Sequence, residues 1–311
     1  MAAGRFLPPE DRKTDTSSET LYDPARPIFF MHVPKTSGLS MTRSLVDAIQ
    51  PRIIFQGFDQ STFGSFQDFA SIDRELRKTI CLDSRTIPPD ADLVAGHLSY
   101  STLSRVNPRA HLVTVLREPI SRILSHWLYL RALPDESLVR WGEWSRYTRW
   151  ARRPLEDFLA REDLGCQIDN LAVRMLLWPH PQIPAAGFID TRYDERLIDE
   201  ATRRVERFAF IDAIENLDFP ASLARWLGKS LSYGRDNETP AVPTELRSQL
   251  HEELSPEAIE LLESHSRLDY QLWAKIVARG VTHLRSETFQ KQVLMKTVAR
   301  FAGLLSPATD G

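Results

Sequence analysis

The sequence predicts an α/β protein: an open, mostly parallel sheet flanked by helices and followed by a helical C-terminal region. Three observations predict it. Short, continuously apolar runs recur, the pattern of strands buried on both faces. Segments of helical periodicity separate them, and strands alternating with helices build a parallel sheet. Beyond about residue 240 the periodicity is helical throughout.

The elements follow in order. Pro27 opens a first strand over residues 27–33, through Ile28, Phe29, Phe30 and Met31. His32 lies inside this run and reads as a core histidine. Pro34 to Gly38 break the strand, and Leu39, Met41, Leu45, Val46 and Ile49 mark the apolar face of a helix ended by Pro51. Residues 52–55 read as a second strand, 68–78 as a helix, and 91–97 as a third strand ending in Gly96-His97. Residues 111–116 form the fourth, which runs into Arg117-Glu118-Pro119 and a helix over 120–131. Proline suits a first helical turn, where its missing N–H has no acceptor to satisfy. A strand at 208–211 precedes a helix at 217–227. Ser255-Pro256-Glu257 starts a helix, and residues 284–305 repeat apolar positions at helical spacing. Residues 1–24, polar and rich in proline, read as a disordered tail, and the last residues as a frayed end.

Composition narrows the function classes. With 42% hydrophobic residues in 311, a sizeable core is available. Lys and Arg number 39 against 42 Asp and Glu, a net charge of -3. That argues against bulk nucleic-acid binding but leaves room for a local basic cleft. Cys81 and Cys166 are the only cysteines, with no CxxC and no His/Cys cluster, so neither a disulfide framework nor a metal site is expected. Buried thiols suit a reducing compartment. No run approaches the roughly 18 apolar residues of a membrane span.

Three stretches carry chemistry. In the first, a strand feeds Pro34-Lys35-Thr36-Ser37-Gly38-Leu39-Ser40, where a helix begins. Free N–H groups, the positive end of a helix dipole and a lysine meet there, which is an anion site best suited to phosphate. The nucleotide-triphosphatase loop G-x-x-x-x-G-K-[ST] is matched only at its Lys-Thr end. An ordinary strand–helix turn with an exposed lysine is the plainer alternative. In the second, Arg117 ends a strand and Ser125 follows eight residues later on a helix. The guanidinium fork fits a phosphate and the hydroxyl adds a hydrogen bond; pairing of Arg117 with Glu118 is the alternative. In the third, His97 stands beside Gly96 at a strand's carboxyl end, placed to enter a cleft as a general base, or else to serve the structure. His126 adjoins Ser125 without a clear role.

Together the three stretches resemble the sulfotransferases that use 3′-phosphoadenosine 5′-phosphosulfate, in particular the carbohydrate branch that includes heparan sulfate 2-O-sulfotransferase. Phe29 through Gly38 is similar to the family's 5′-phosphosulfate loop, Val115 through His126 to its 3′-phosphate motif, and Ala95 through Tyr100 to the stretch holding its catalytic histidine. Weaker similarity continues through residues 170–174 and 208–227 to 268–270. The resemblance implies a P-loop-type fold, with a sulfotransferase domain over 25–280 and a C-terminal helix and tail over 281–311. It implies in-line transfer of a sulfuryl group from the nucleotide to an acceptor hydroxyl, on a carbohydrate or glycolipid, without a metal. His97 would be the base. Lys35 and the N–H groups of Thr36, Ser37, Gly38, Leu39 and Ser40 would hold the phosphosulfate, and Arg117 and Ser125 the 3′-phosphate. The heparan enzyme has a second histidine two residues before the catalytic one; here that position is Ala95, so the resemblance supplies no second imidazole. The family's Golgi members carry a membrane anchor that is not seen here, and a soluble, cytoplasmic protein is expected. The rivals are a P-loop kinase of a small molecule, which should show the full glycine loop and an acidic Mg²⁺ ligand, and an inactive nucleotide-binding protein on the same fold.

Two further stretches stay open. Residues 232–239 lie where the family closes a segment over the nucleotide, with Arg235 a candidate phosphate contact or part of a surface turn. Residues 140–153 hold Trp141, Trp144 and Trp150 among five arginines. They read as an acceptor-binding lobe, as an amphipathic helix with tryptophans inward, or as a membrane-surface contact.

Overall fold

The computed structural model describes residues 22–234, 241–280 and 286–306. Six parallel strands form one sheet: β1 (Ile28–Met31), β2 (Ile54–Asp59), β3 (Ile80–Cys81), β4 (Leu93–His97), β5 (His111–Leu116) and β6 (Phe210–Ala213), in the order β3-β2-β4-β1-β5-β6. The predicted class holds. Strand β1 explains why its run is apolar throughout. Phe29 and Met31 enter the core on one face while Ile28 and Phe30 enter the core on the other, so both phases of the two-residue period are buried.

Helices cover both faces: α1 (Gly38–Ile49), α2 (Tyr100–Val106), α3 (Pro119–Ala132), α4 (Leu171–Leu177), α5 (Asp194–Val205), α6 (Phe219–Leu227), α7 (Pro256–Gly280) and α8 (Ser286–Leu305). Helices α1 and α6 close one face of the sheet with Met41, Leu45, Phe219 and Leu223. Helices α4, α5 and α7 close the other. A separate apolar cluster joins α3 to α8 through Leu124, Trp127, Phe301 and Leu305. Ser255 caps α7, its hydroxyl accepting from the Ala258 N–H at 3.0 Å.

Several boundaries differ from expectation for side-chain reasons. The second strand starts at Ile54 rather than Arg52, because the Asp92 carboxylate accepts the N–H groups of Arg52 and Ile53 at 2.8 and 3.1 Å and holds them off the ladder. The expected helix at 68–78 is a 3-10 turn at Phe69–Ser71 and a single helical turn at Arg74–Arg77, restarted by Asp73, which accepts from Glu75 and Leu76. The two-residue edge strand β3 has no sequence signature. Strand β6 runs on to Ala213 to match β5 as far as Leu116. Tyr22, placed by sequence in the tail, is buried against Trp226 and His111; residues 1–21 and 307–311 lie outside the described residues. Both cysteines are free and buried, and desolvation pushes each thiol up to about 12.

Candidate active site

In an open parallel sheet the carboxyl ends of the strands face a common crevice. Here β1, β4, β5 and β6 deliver Lys35, His97, Arg117 and Glu215 to one cleft of about 1060 Å³. Lys35, Ser37, Gly38, Leu39, Ser40, His97, Arg117 and Ser125, all singled out from sequence, line it. Thr36 does not: its buried hydroxyl donates to the Val33 carbonyl at 2.8 Å and shapes the loop from within. Only its N–H is left to offer a ligand. Arg235 lies outside the described residues.

The loop after β1 is bent by backbone conformation. Lys35 and Ser37 both take left-handed φ values, 70° and 62°, which cost a non-glycine residue on the order of 1 kcal/mol each. Two contacts hold that geometry. Thr114 donates to the Met31 carbonyl at 2.7 Å, and Arg117 donates through Nη1 to the Lys35 carbonyl at 3.1 Å. Helix α1 then begins with no acidic residue in its first turn and no side-chain cap. Its leading N–H groups lack helical acceptors, and the helix dipole adds positive potential there. The Leu39 side chain is half exposed, so its contribution is the N–H alone.

The Lys35 ammonium sits 4.0 Å from the centre of the Tyr129 ring. Burial first, then the charges of Arg117 and Arg300, lower its pKa to about 8. Burial also lowers that of Arg117, against the opposing pull of Glu215 and Glu118. Glu118 does not consume Arg117. Its buried carboxylate caps α3 by accepting from Ile120 and Ser121. Glu215 receives the Glu118 N–H at 2.9 Å and the Trp273 indole N–H at 3.1 Å, and burial raises its pKa to about 7.

His97 is oriented by one bond. Its Nδ1 lies 2.7 Å from the His32 carbonyl oxygen, which can only accept, so Nδ1 carries the proton and Nε2 the lone pair. Burial lowers its pKa to about 4, which keeps the imidazole neutral at physiological pH. Within β4, position 96 is held to glycine because the Gly57 carbonyl lies 2.1 Å from where a Cβ would stand. Beyond it, the buried Asp59 carboxylate accepts from the Ser99 N–H and hydroxyl at 2.7 Å each, pinning the start of α2.

The reading of His32 needs correction. Strand β1 ends at Met31, and His32 lines the cleft instead of the core. Its ring lies 4.4 Å from that of His97 and stacks on Phe30 at 5.5 Å. Gly38 makes room for it, since a Cβ there would stand 1.9 Å from the His32 Nε2. A second imidazole is thus supplied across space, although Ala95 cannot supply it along the chain. His126 also lines the cleft; Gln167 approaches its ring without completing a hydrogen bond, and both ring nitrogens are buried and unpaired.

Sequence reasoning missed Arg300. It reaches the cleft from α8, which is anchored by buried Phe301 and Leu305 and by a 2.9 Å contact between the Ser121 and Thr297 hydroxyls. No local motif marks it, because only the docking of α8 against α3 brings it near Lys35. Glu215 and the aromatic residues Phe58 and Phe63 were missed for the same reason.

Lys35, Arg117 and Arg300 together offer three cations and a set of free N–H groups to an anionic ligand, beside a neutral histidine whose free nitrogen can accept a proton. No curated protein matches the chain. The profile of the sulfotransferase family matches residues 18–274, which take in all six strands and every site residue named above except Arg300. That span is most of the chain, and by it this protein belongs to the sulfotransferase family.

Proposed function

We propose that this protein transfers a sulfuryl group from 3′-phosphoadenosine 5′-phosphosulfate to an acceptor hydroxyl by in-line displacement. The observation that carries the reading is the convergence on one cleft of a phosphate-type loop, a separate Arg117–Ser125 pair and a histidine locked in the tautomer of a base. The family match supports sulfuryl transfer in general. A donor with two anionic ends needs two anion sites, and Arg117 with Ser125 is the second.

The donor supplies the activated sulfuryl group. His97 accepts the proton of the attacking hydroxyl at Nε2, while the His32 carbonyl stabilises the imidazolium that results. Lys35 and the N–H groups of Thr36 to Ser40 stabilise the charge that develops on the leaving phosphate. Arg117, Ser125 and Arg300 hold the 3′-phosphate and set the donor's register. Glu215, its hydrogen bonds already made, keeps Arg117 in place by charge. The resemblance to the carbohydrate branch favours a glycan or glycolipid acceptor; the walls of the cleft bear on this separately.

Calorimetric titration with adenosine 3′,5′-bisphosphate and with ADP tests the donor assignment. The bisphosphate should bind at least about tenfold tighter, since a charge-assisted hydrogen bond contributes on the order of 1.5–3 kcal/mol. Arg117→Ala and Arg300→Ala should each remove about tenfold or more of that affinity. Equal affinity for the two nucleotides would defeat the assignment.

A further inference from the structure

The half of the cleft beyond His97 differs in kind from the half that holds the cations. Among the described lining residues the charged ones are Lys35, Arg117, Glu215 and Arg300, all on the donor side. From His97 outward the wall is aromatic. Phe58 lies 5.2 Å from the His97 ring, Trp141 meets Phe58 edge-on at 5.4 Å, and Phe63 packs on Trp144 at 5.2 Å. Leu76 and Leu138 join it, and Gln56, Thr62, Thr79 and Thr148 add uncharged polar groups to the same lining. The nearby Gln167 side-chain NH₂ donates to the Thr62 carbonyl.

The arginines of residues 140–153 do not reach this wall. Arg140 pairs with Asp73 at 3.4 Å, and Arg149 and Arg152 pair with Asp135 at 3.4 and 3.1 Å. Arg146 lies over the Tyr147 ring at 4.8 Å. The segment is a series of short turns, which puts Trp141 and Trp144 into the cleft and leaves four of the five guanidinium groups on carboxylates or a ring outside it.

We infer that the acceptor is an uncharged hydroxyl compound with an apolar ring body, such as a phenol or alicyclic alcohol, and not an anionic glycan. The inference rests on the sulfuryl-transfer reading above and names its acceptor. Charge balance argues for it. The donor's two anionic ends already match the three cations, so an anionic acceptor would enter a cleft with no positive charge left and an apolar wall to desolvate it. Shape agrees: at about 1060 Å³ the cleft has room for a nucleotide and a second small body, and ring faces stack on Phe58 and Trp141. The flat body lies against that wall and its hydroxyl points to His97 Nε2.

The test is an acceptor screen with labelled donor on the full chain: phenols and alicyclic alcohols, neutral oligosaccharides, and an anionic polysaccharide. Turnover confined to the apolar compounds is the expected result. Trp141→Ala should raise the acceptor KM about tenfold to hundredfold, the scale of a lost apolar pocket contact, with bisphosphate affinity unchanged, and Trp141→Phe should recover most of it. Turnover of either glycan in preference overturns the inference, as does an acceptor KM indifferent to Trp141→Ala. Bisphosphate binding without turnover of any apolar compound overturns it too, while failure of the bisphosphate to bind would strike the donor reading instead.

Discussion

Lys35→Ala is expected to lower sulfuryl transfer by about 100- to 1,000-fold, the usual cost of removing one positioned donor from a developing oxyanion. Lys35 has the position for that effect. It is half-buried beside Tyr129, on a loop held by Arg117 through the Lys35 main-chain carbonyl. That bond survives truncation of the side chain, so the loop should keep its shape and the loss should fall on rate. The pH profile gives an independent check. An ammonium with pKa lowered to about 8 loses its charge as pH rises through that value, so kcat/KM for the donor should fall above about pH 8. Lys35→Arg should abolish that alkaline limb, because guanidinium stays charged. Steady-state rates from pH 5 to 10 measure both; an unchanged rate in Lys35→Ala would remove Lys35 from the chemistry.

His97→Ala should cost about 100- to 10,000-fold in turnover, the range for a lost general base, while bisphosphate affinity stays within a factor of about two. The separation follows from geometry, since the donor's anion sites follow β1 and β5 and lie on α1, α3 and α8, while the imidazole is on β4. The acid side of the profile carries a second signature. Burial holds the His97 pKa near 4, so protonation should stop the reaction only below about pH 4, well under the range of an exposed histidine. His97→Gln retains a side-chain donor for the His32 carbonyl but has no proton-accepting nitrogen. It should be as inactive as the alanine variant. Turnover near the parent level in either would end the assignment of His97 as base.

The difference between what could and could not be read along the chain follows contact range. Strand β5 was legible residue for residue because its six positions are all buried and Pro108 and Pro119 lie within three residues of its ends. The loop from Pro34 to Ser40 was legible because its anion-binding groups are contiguous. His97 was legible because a strand end places one residue at the crevice. His32 was misread because the apolar run continues to Val33, while strand pairing ends at Met31; the stop is set by the ladder to β4 and β5.

The sequence by itself determined the five longer strands, the phosphate-type loop and the spacing of Arg117 to Ser125, since each depends on residues within one or two turns of one another. Only the tertiary structure decided that His32 faces His97, that Arg300 joins the anion site from a helix outside the family match, and that the Trp/Arg segment gives Trp141 and Trp144 to the cleft while Arg140, Arg149 and Arg152 pair with carboxylates outside it. Those outcomes depend on packing between segments far apart in the chain, where many arrangements share the same local pattern and burial selects one.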